Sequence, residues 1–214
     1  MKGKIFNAQE VQAIIAGNKT MFREVIKPQI IKLTDQQNKN LSLVDGYTFN
    51  NEIWADLEGC KKVAIFRCPY QVGQKIFCKE TFEIWDDGLV YKADNSPANL
   101  VSKWKPAQHM KQEHSRLTLL IKEIKVERLG EISEEDCEKE GVKSTGGWNG
   151  QDYDDGEFYF GKLEESEDGM DWKNEMFEYP DLAFASLWNA THKKPEEKFE
   201  ANPWVWCVTM EVVK

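Results

Sequence analysis

Between Asn7 and Gly17 the apolar side chains Val11, Ile14 and Ile15 recur at helical spacing. Asn7 and Glu10 stand as a capping box and Gly17 as a stop, which predicts a short helix. Directly after it, NKTMFREVIK alternates charged and apolar residues and runs to Pro28, the pattern of a strand leaving the helix with Lys19 near the junction. Residues 34–61 mix Asn, Gln, Asp and Gly with scattered aromatics and read as a loop-rich insertion.

VAIFRCPY, QKIFCKETFEIW and RLTLLIKEIKVERL are rich in β-branched and aromatic residues and are interrupted by Pro69, Gly73 and Gly88, so they read as strands. In the third, the inward phase runs Leu117, Leu119, Ile121 and then shifts to Ile124 and Val126, which one extra residue, a β-bulge, explains. SEEDCEKEG predicts a short acidic helix with Ser133 as its N-cap and Gly141 just past its end, leaving Glu140 at the exit.

Residues 144–178 lack clean periodicity and read as a second, acidic insertion on the surface. From Pro180, DLAFASLWNATHK places Phe184, Leu187 and Trp188 on one helical face. In the closing PWVWCVTMEVV, Trp204, Trp206, Val208, Met210 and Val212 share one strand face and Val205, Cys207, Thr209 and Glu211 the other. This order of elements suits an α+β domain spanning 1–214, with a β-barrel core and helices packed at its mouth, better than a parallel α/β sheet.

Charge changes the picture by where it lies. The net charge is −9, and residues 152–178 alone hold 11 acids against 2 lysines, so the rest of the chain is balanced. Residues 1–39 are locally basic, whereas an acidic patch of that kind near a cleft should repel long nucleic acid and tolerate a small nucleoside. No uncharged apolar run approaches the roughly 18 residues of a membrane span, and MKGKIFNAQE lacks the apolar region of a secretory signal; a cytoplasmic location is expected. Five cysteines without a CxxC argue against a disulfide framework or a zinc site. Phosphate-binding glycine loops, GxSxG and HExxH are missing as well, so no metal or cofactor is expected.

GNKTMFREVIKPQ, CPYQVGQKIFCKETF, KPAQHM, SRLTLLIKEIKVERLGEISEEDCEKEGV and NPWVWCVTMEV follow one another in an order that resembles the ASCH-domain proteins of prophages, relatives of the PUA-like class. The resemblance spans nearly the whole chain. It implies a PUA-like β-barrel with a cleft between the barrel and the first helix, and RNA, or a nucleotide, as the ligand. A second implication is amidohydrolysis of an acylated pyrimidine nucleoside. In the small bacterial member of the family with that activity the catalytic set is a lysine, a threonine and a glutamate, which fall by position on Lys19, Phe22 and Glu140. Phe22 is a departure, because a phenyl ring can neither attack a carbonyl nor hold a water for attack; Thr20, two residues earlier, offers the nearest hydroxyl on that strand face. A third possibility is a phage accessory or assembly protein whose partner is a phage or host protein.

The remaining candidates are ligand-binding. Arg23 and Arg116 carry forked donors suited to phosphate. Glu80, inside an otherwise apolar strand, must pair with one of them or face the cleft. Trp204 offers a stacking surface, although aromatics at period two are more often core. His109 fits a surface or capping position better than a catalytic one.

Overall fold

The computed structural model describes residues 1–27, 52–57, 62–86, 88–94, 103–144, 159–165 and 172–213. Its centre is a five-stranded sheet of β1 (Lys2–Ile5), β5 (Lys75–Lys79), β8 (Thr118–Arg128), β12 (Trp204–Val213) and β2 (Met21–Val25), in that spatial order. β1 runs parallel to β5, and every other pairing is antiparallel. Helix α1 (Ala8–Ile15) links β1 to β2, the two outer strands. Its capping box is formed as expected, and Gly17 beyond it adopts φ +78°.

β12 explains why the final strand carries apolar residues on both faces. It lies between β8 and β2 and is buried from Trp204 to Val208. Trp204, Trp206, Val208 and Met210 enter one core with Phe6, Ile14, Phe22, Leu119 and Ile121. Val205 and Cys207 enter another with Leu129 and with Ala183, Phe184 and Trp188 of α3 (Pro180–Thr191). Strands covered on both faces read as continuous apolar runs. Val212 extends past the core and is 45% exposed.

The bulge lies where the phase shift placed it. Thr209 pairs with Glu123 and Met210 with Ile121, so Lys122 is the extra residue. The sheet is also curled. Four spacings of about 4.8 Å would hold the edges of a flat five-stranded sheet roughly 19 Å apart. Yet Lys4 Nζ on β1 lies 2.8 Å from Glu24 Oε2 on β2, and the Phe6 and Phe22 rings meet edge-on at 5.9 Å. Among the described residues no backbone ladder joins β1 to β2, so the curled sheet stays open. The fold is α+β.

Four sequence expectations are corrected. The short β1 was not anticipated: KGKI has too little apolar pattern to signal a strand, and its pairing with β5 is non-local. QKIFCKETFEIW is two strands, because the chain leaves the central sheet at Glu80 and re-pairs β6 (Phe82–Trp85) with β7 (Gly88–Tyr91). Within 34–61, residues 52–57 form β3 (Glu52–Leu57), a hairpin partner of β4 (Lys62–Arg67); 34–51 and 58–61 lie outside the described residues. Within 144–178, β10 (Tyr159–Glu165) pairs with β11 (Trp172–Phe177) and with β9 (Lys143–Ser144), while 145–158 and 166–171 lie outside the described residues. A register shift between Phe160 and Leu163 breaks the alternation that would have announced β10. No described helix is long and apolar enough to cross a membrane.

Candidate functional site

The site is built where two helices end against one strand. Gly17 turns the chain back at the end of α1, so that the N–H groups of Asn18 and Lys19 both donate to Ala13 O, at 2.9 and 3.1 Å. Lys19 then forms an antiparallel bridge with Glu140, the C-cap of α2 (Glu134–Lys139), and Thr20 N–H donates to Lys139 O at 2.9 Å. Ser133 caps the start of α2, and Gly141 leaves it at φ +96°, which favours glycine. Residues 18–20 thereby stitch the ends of both helices to the start of β2.

The side chains follow from that stitching. Lys19 Nζ donates to Glu140 O at 2.8 Å and to Glu140 Oε2 at 2.7 Å, and lies 3.6 Å from Glu10 Oε1. Only 4% of the Lys19 side chain and 6% of that of Glu140 are exposed. Arg23 is fully buried and surrounded by acids: it donates to Glu140 Oε1 and Asp136 Oδ2, each at 3.0 Å, and through Nε and Nη2 to Glu127 Oε1. Burial alone would favour neutral guanidine, but the Glu140 and Glu127 carboxylates outweigh it and raise the Arg23 pKa.

A cleft of about 620 Å³ opens over this network. Lys19, Arg23, Glu10 and Glu140 line its polar end, and Phe22, Phe160, Phe184, Trp188 and His192 supply aromatic surface. His192 stacks on Trp188 at 3.7 Å with the rings 8° from parallel, and burial holds its pKa below the ordinary value. Phe22, 2% exposed, packs edge-on to Phe6 and to Tyr70. Lys4, which also lines the cleft, holds its ammonium 4.8 Å from the Phe22 ring centroid and pairs with Glu24.

Of the residues singled out in the sequence, the structure gathers Lys19, Glu140 and Arg23 at this cleft. Thr20 is next to it in sequence, but it is the Thr20 backbone that serves, and its side chain is not part of the lining. Glu80 and Arg116 form a separate pair outside the cleft: both carboxylate oxygens of Glu80 accept from Arg116 at 2.9 Å, and Arg116 also reaches Asp94 and the Tyr91 ring. Burial raises the Glu80 pKa against the opposing pull of Arg116. His109 is exposed in a short turn beside Gln108. Trp204 is a core residue, 7% exposed, under the guanidinium of Arg128. Sequence reading missed Glu10, Trp188 and His192 as cleft residues. Glu10 is fully accounted for as a cap, which hid its second role; His192, four residues after Trp188, is the signal that was there to find.

Comparison of the chain with family models, with curated proteins and with solved structures returned no match in any of the three.

Proposed function

We propose that the cleft receives a single nucleobase, carried by a nucleoside, a nucleotide or an exposed position of RNA, in a PUA-like domain of the ASCH type. The observation that carries this is the buried Lys19–Glu140 pair, whose nitrogen and oxygen are 2.7 Å apart in a cleft that aromatic side chains also line. A planar heterocycle needs flat apolar surface and a few fixed donors and acceptors at one edge. The curled sheet, with α1 spanning its two outer strands, supports the PUA-like reading, in which the cleft lies between the barrel and the first helix.

Charge favours a base over a run of phosphates. Lys4 is paired with Glu24, Lys19 with Glu140, and Arg23 with three carboxylates. Using them for phosphate would strip those acids of their partners, a heavy cost for a group as buried as Glu140. The test is equilibrium titration of nucleosides, nucleoside monophosphates and short single-stranded RNA at two salt concentrations. Binding of the isolated nucleoside with little salt dependence is expected; affinity confined to RNA and falling steeply with salt would sink the base-pocket reading.

A second reading, hydrolysis of an acyl group on the base, is favoured by one arrangement: a lysine held between two carboxylates, Glu140 and Glu10, at the polar end. An ammonium so placed can hold the oxyanion of an acyl-transfer intermediate. With Phe22 packed at the position of the family's hydroxyl, the nucleophile in this reading is water. Mass-spectrometric turnover of acylated cytidines, lost in Lys19→Ala, is the expected result, and an inert wild type would leave binding alone.

A further inference from the structure

Among the described residues, one carboxylate oxygen of the cleft lining, Glu10 Oε1, accepts no hydrogen bond. We infer that Glu10 selects the ligand by accepting an N–H from the base edge, while the acceptor beside that N–H takes a proton of Lys19 in a hydrogen bond. The inference rests on the base-binding reading and names the edge that reading requires.

Glu10 occupies the third position of α1 and is clamped there. Its Oε2 accepts the backbone N–H of Asn7 at 2.8 Å, and its own backbone N–H donates to Asn7 Oδ1 at 2.9 Å. Oε1 lies 3.6 Å from Lys19 Nζ, an ionic contact but too long for a hydrogen bond, and among the described residues it accepts none. The side chain is 34% exposed and lines the cleft.

Lys19 is the complement. An ammonium has three N–H donors, and two of them go to Glu140, one to the backbone oxygen and one to Oε2. Among the described residues no hydrogen bond takes the third, and Lys19 lines the cleft. Glu140 itself is not available as an acceptor on the same terms, because Lys19 holds one of its oxygens and Arg23 the other.

The cleft therefore presents one donor and one acceptor side by side. Cytosine, adenine and uracil each offer the matching edge, a ring nitrogen or carbonyl next to an N–H. A hydrogen bond to a carboxylate is charge-assisted and among the stronger ones. A base whose N–H is replaced by a methyl group leaves Glu10 facing carbon, and sites built around a donor discriminate against ligands that lack it.

The test titrates cytidine, adenosine and uridine into the full chain. Alongside run the exocyclic N,N-dimethyl derivatives of the first two and the ring-N-methyl derivative of the third. At least one parent nucleoside should bind about tenfold or more tightly than its methylated partner.

Glu10→Gln then separates chemistry from shape. Glutamine has a single side-chain oxygen, and the Asn7 N–H claims it, so the amide NH₂ takes the place of Oε1 and an acceptor becomes a donor at constant size. The helix cap is kept, so thermal stability should stay near that of the wild type. Discrimination against the methylated partner should collapse in this variant. Persistence of the preference in Glu10→Gln, or equal binding of parent and methylated nucleosides by the wild type, overturns the role of Glu10 while base binding stands. If no nucleoside binds at all, the base-binding reading and this inference fall together.

Discussion

Lys19 and Arg23 hold opposite oxygens of one carboxylate: Glu140 Oε2 accepts from Lys19 at 2.7 Å and Oε1 from Arg23 at 3.0 Å. The arginine also ties Asp136 and Glu127, so its guanidinium joins β2 to both β8 and α2. Sequence alone suggested Arg23 as a phosphate ligand, but its forked donors are spent on the protein's own acids. Arg23→Met leaves Glu140 half-paired and gathers three carboxylates around an apolar side chain. The expected loss is about 3 kcal/mol, the low end for breaking a buried pair, because Glu127 and Asp136 retain some exposure to water. Arg23→Lys should recover little, since an ammonium cannot span three partners with the same geometry. Urea denaturation decides it, and a loss below about 1 kcal/mol would show the cluster to be incidental to stability.

The pair between the sheet edges predicts a pH dependence. Burial pushes the Glu24 carboxyl up, but Lys4, Tyr70 and Lys2 together bring it below its ordinary 4.5. A carboxyl with a depressed folded-state pKa stabilises the fold above its unfolded value and loses that contribution as pH falls through the folded one. Glu24→Gln should therefore be less stable than wild type at neutral pH and lose less on acidification below about pH 4.5. Parallel stability curves for the two proteins across the acid range would contradict this.

Four thiols are predicted to be inert in the folded protein. Burial pushes Cys68 up to about 11 and Cys137 up to about 12, and carries Cys78 and Cys207 higher still. The thiolate is the reactive form, so brief alkylation near neutral pH should leave these four unmodified until denaturant is added. Peptide mapping reads the outcome directly; rapid labelling of any of the four in native buffer would mean that its segment opens.

Phe22→Thr tests the second reading, hydrolysis of an acyl group on the base. Removing a ring that is 2% exposed and touches Phe6 and Tyr70 should cost about 3 kcal/mol. In return it places a hydroxyl on the cleft side of β2. If the second reading holds, turnover of acylated cytidine should rise in this variant at temperatures where it stays folded. A folded variant with no gain over the wild type would show that a hydroxyl at position 22 is not what this chemistry needs.

What could be read in the sequence was local. The capping box of Asn7 and Glu10, the bulge at Lys122 and the exit position of Glu140 each depend on a few neighbouring residues, and the structure has all three. Pairing partners were less legible. Glu80 could be seen to need a cation, but choosing Arg116 over Arg23 required knowing which strands adjoin. The same limit applies to β1, whose four residues are a strand only because β5 lies beside them, and to Trp204, which looks the same in sequence whether it stacks on a ligand or fills a core. Glu10 was hidden for another reason: a residue already explained by one structural role gives no reason to look for a second.

Glu140 caps α2 and is also the counter-ion of Lys19. Fraying of the last turn of that six-residue helix and disassembly of the polar end of the cleft are therefore one equilibrium. A ligand engaged with Lys19 draws on the same population as the intact helix end, so its binding should slow hydrogen exchange at the amides of Lys139 and Glu140, which no ligand need touch.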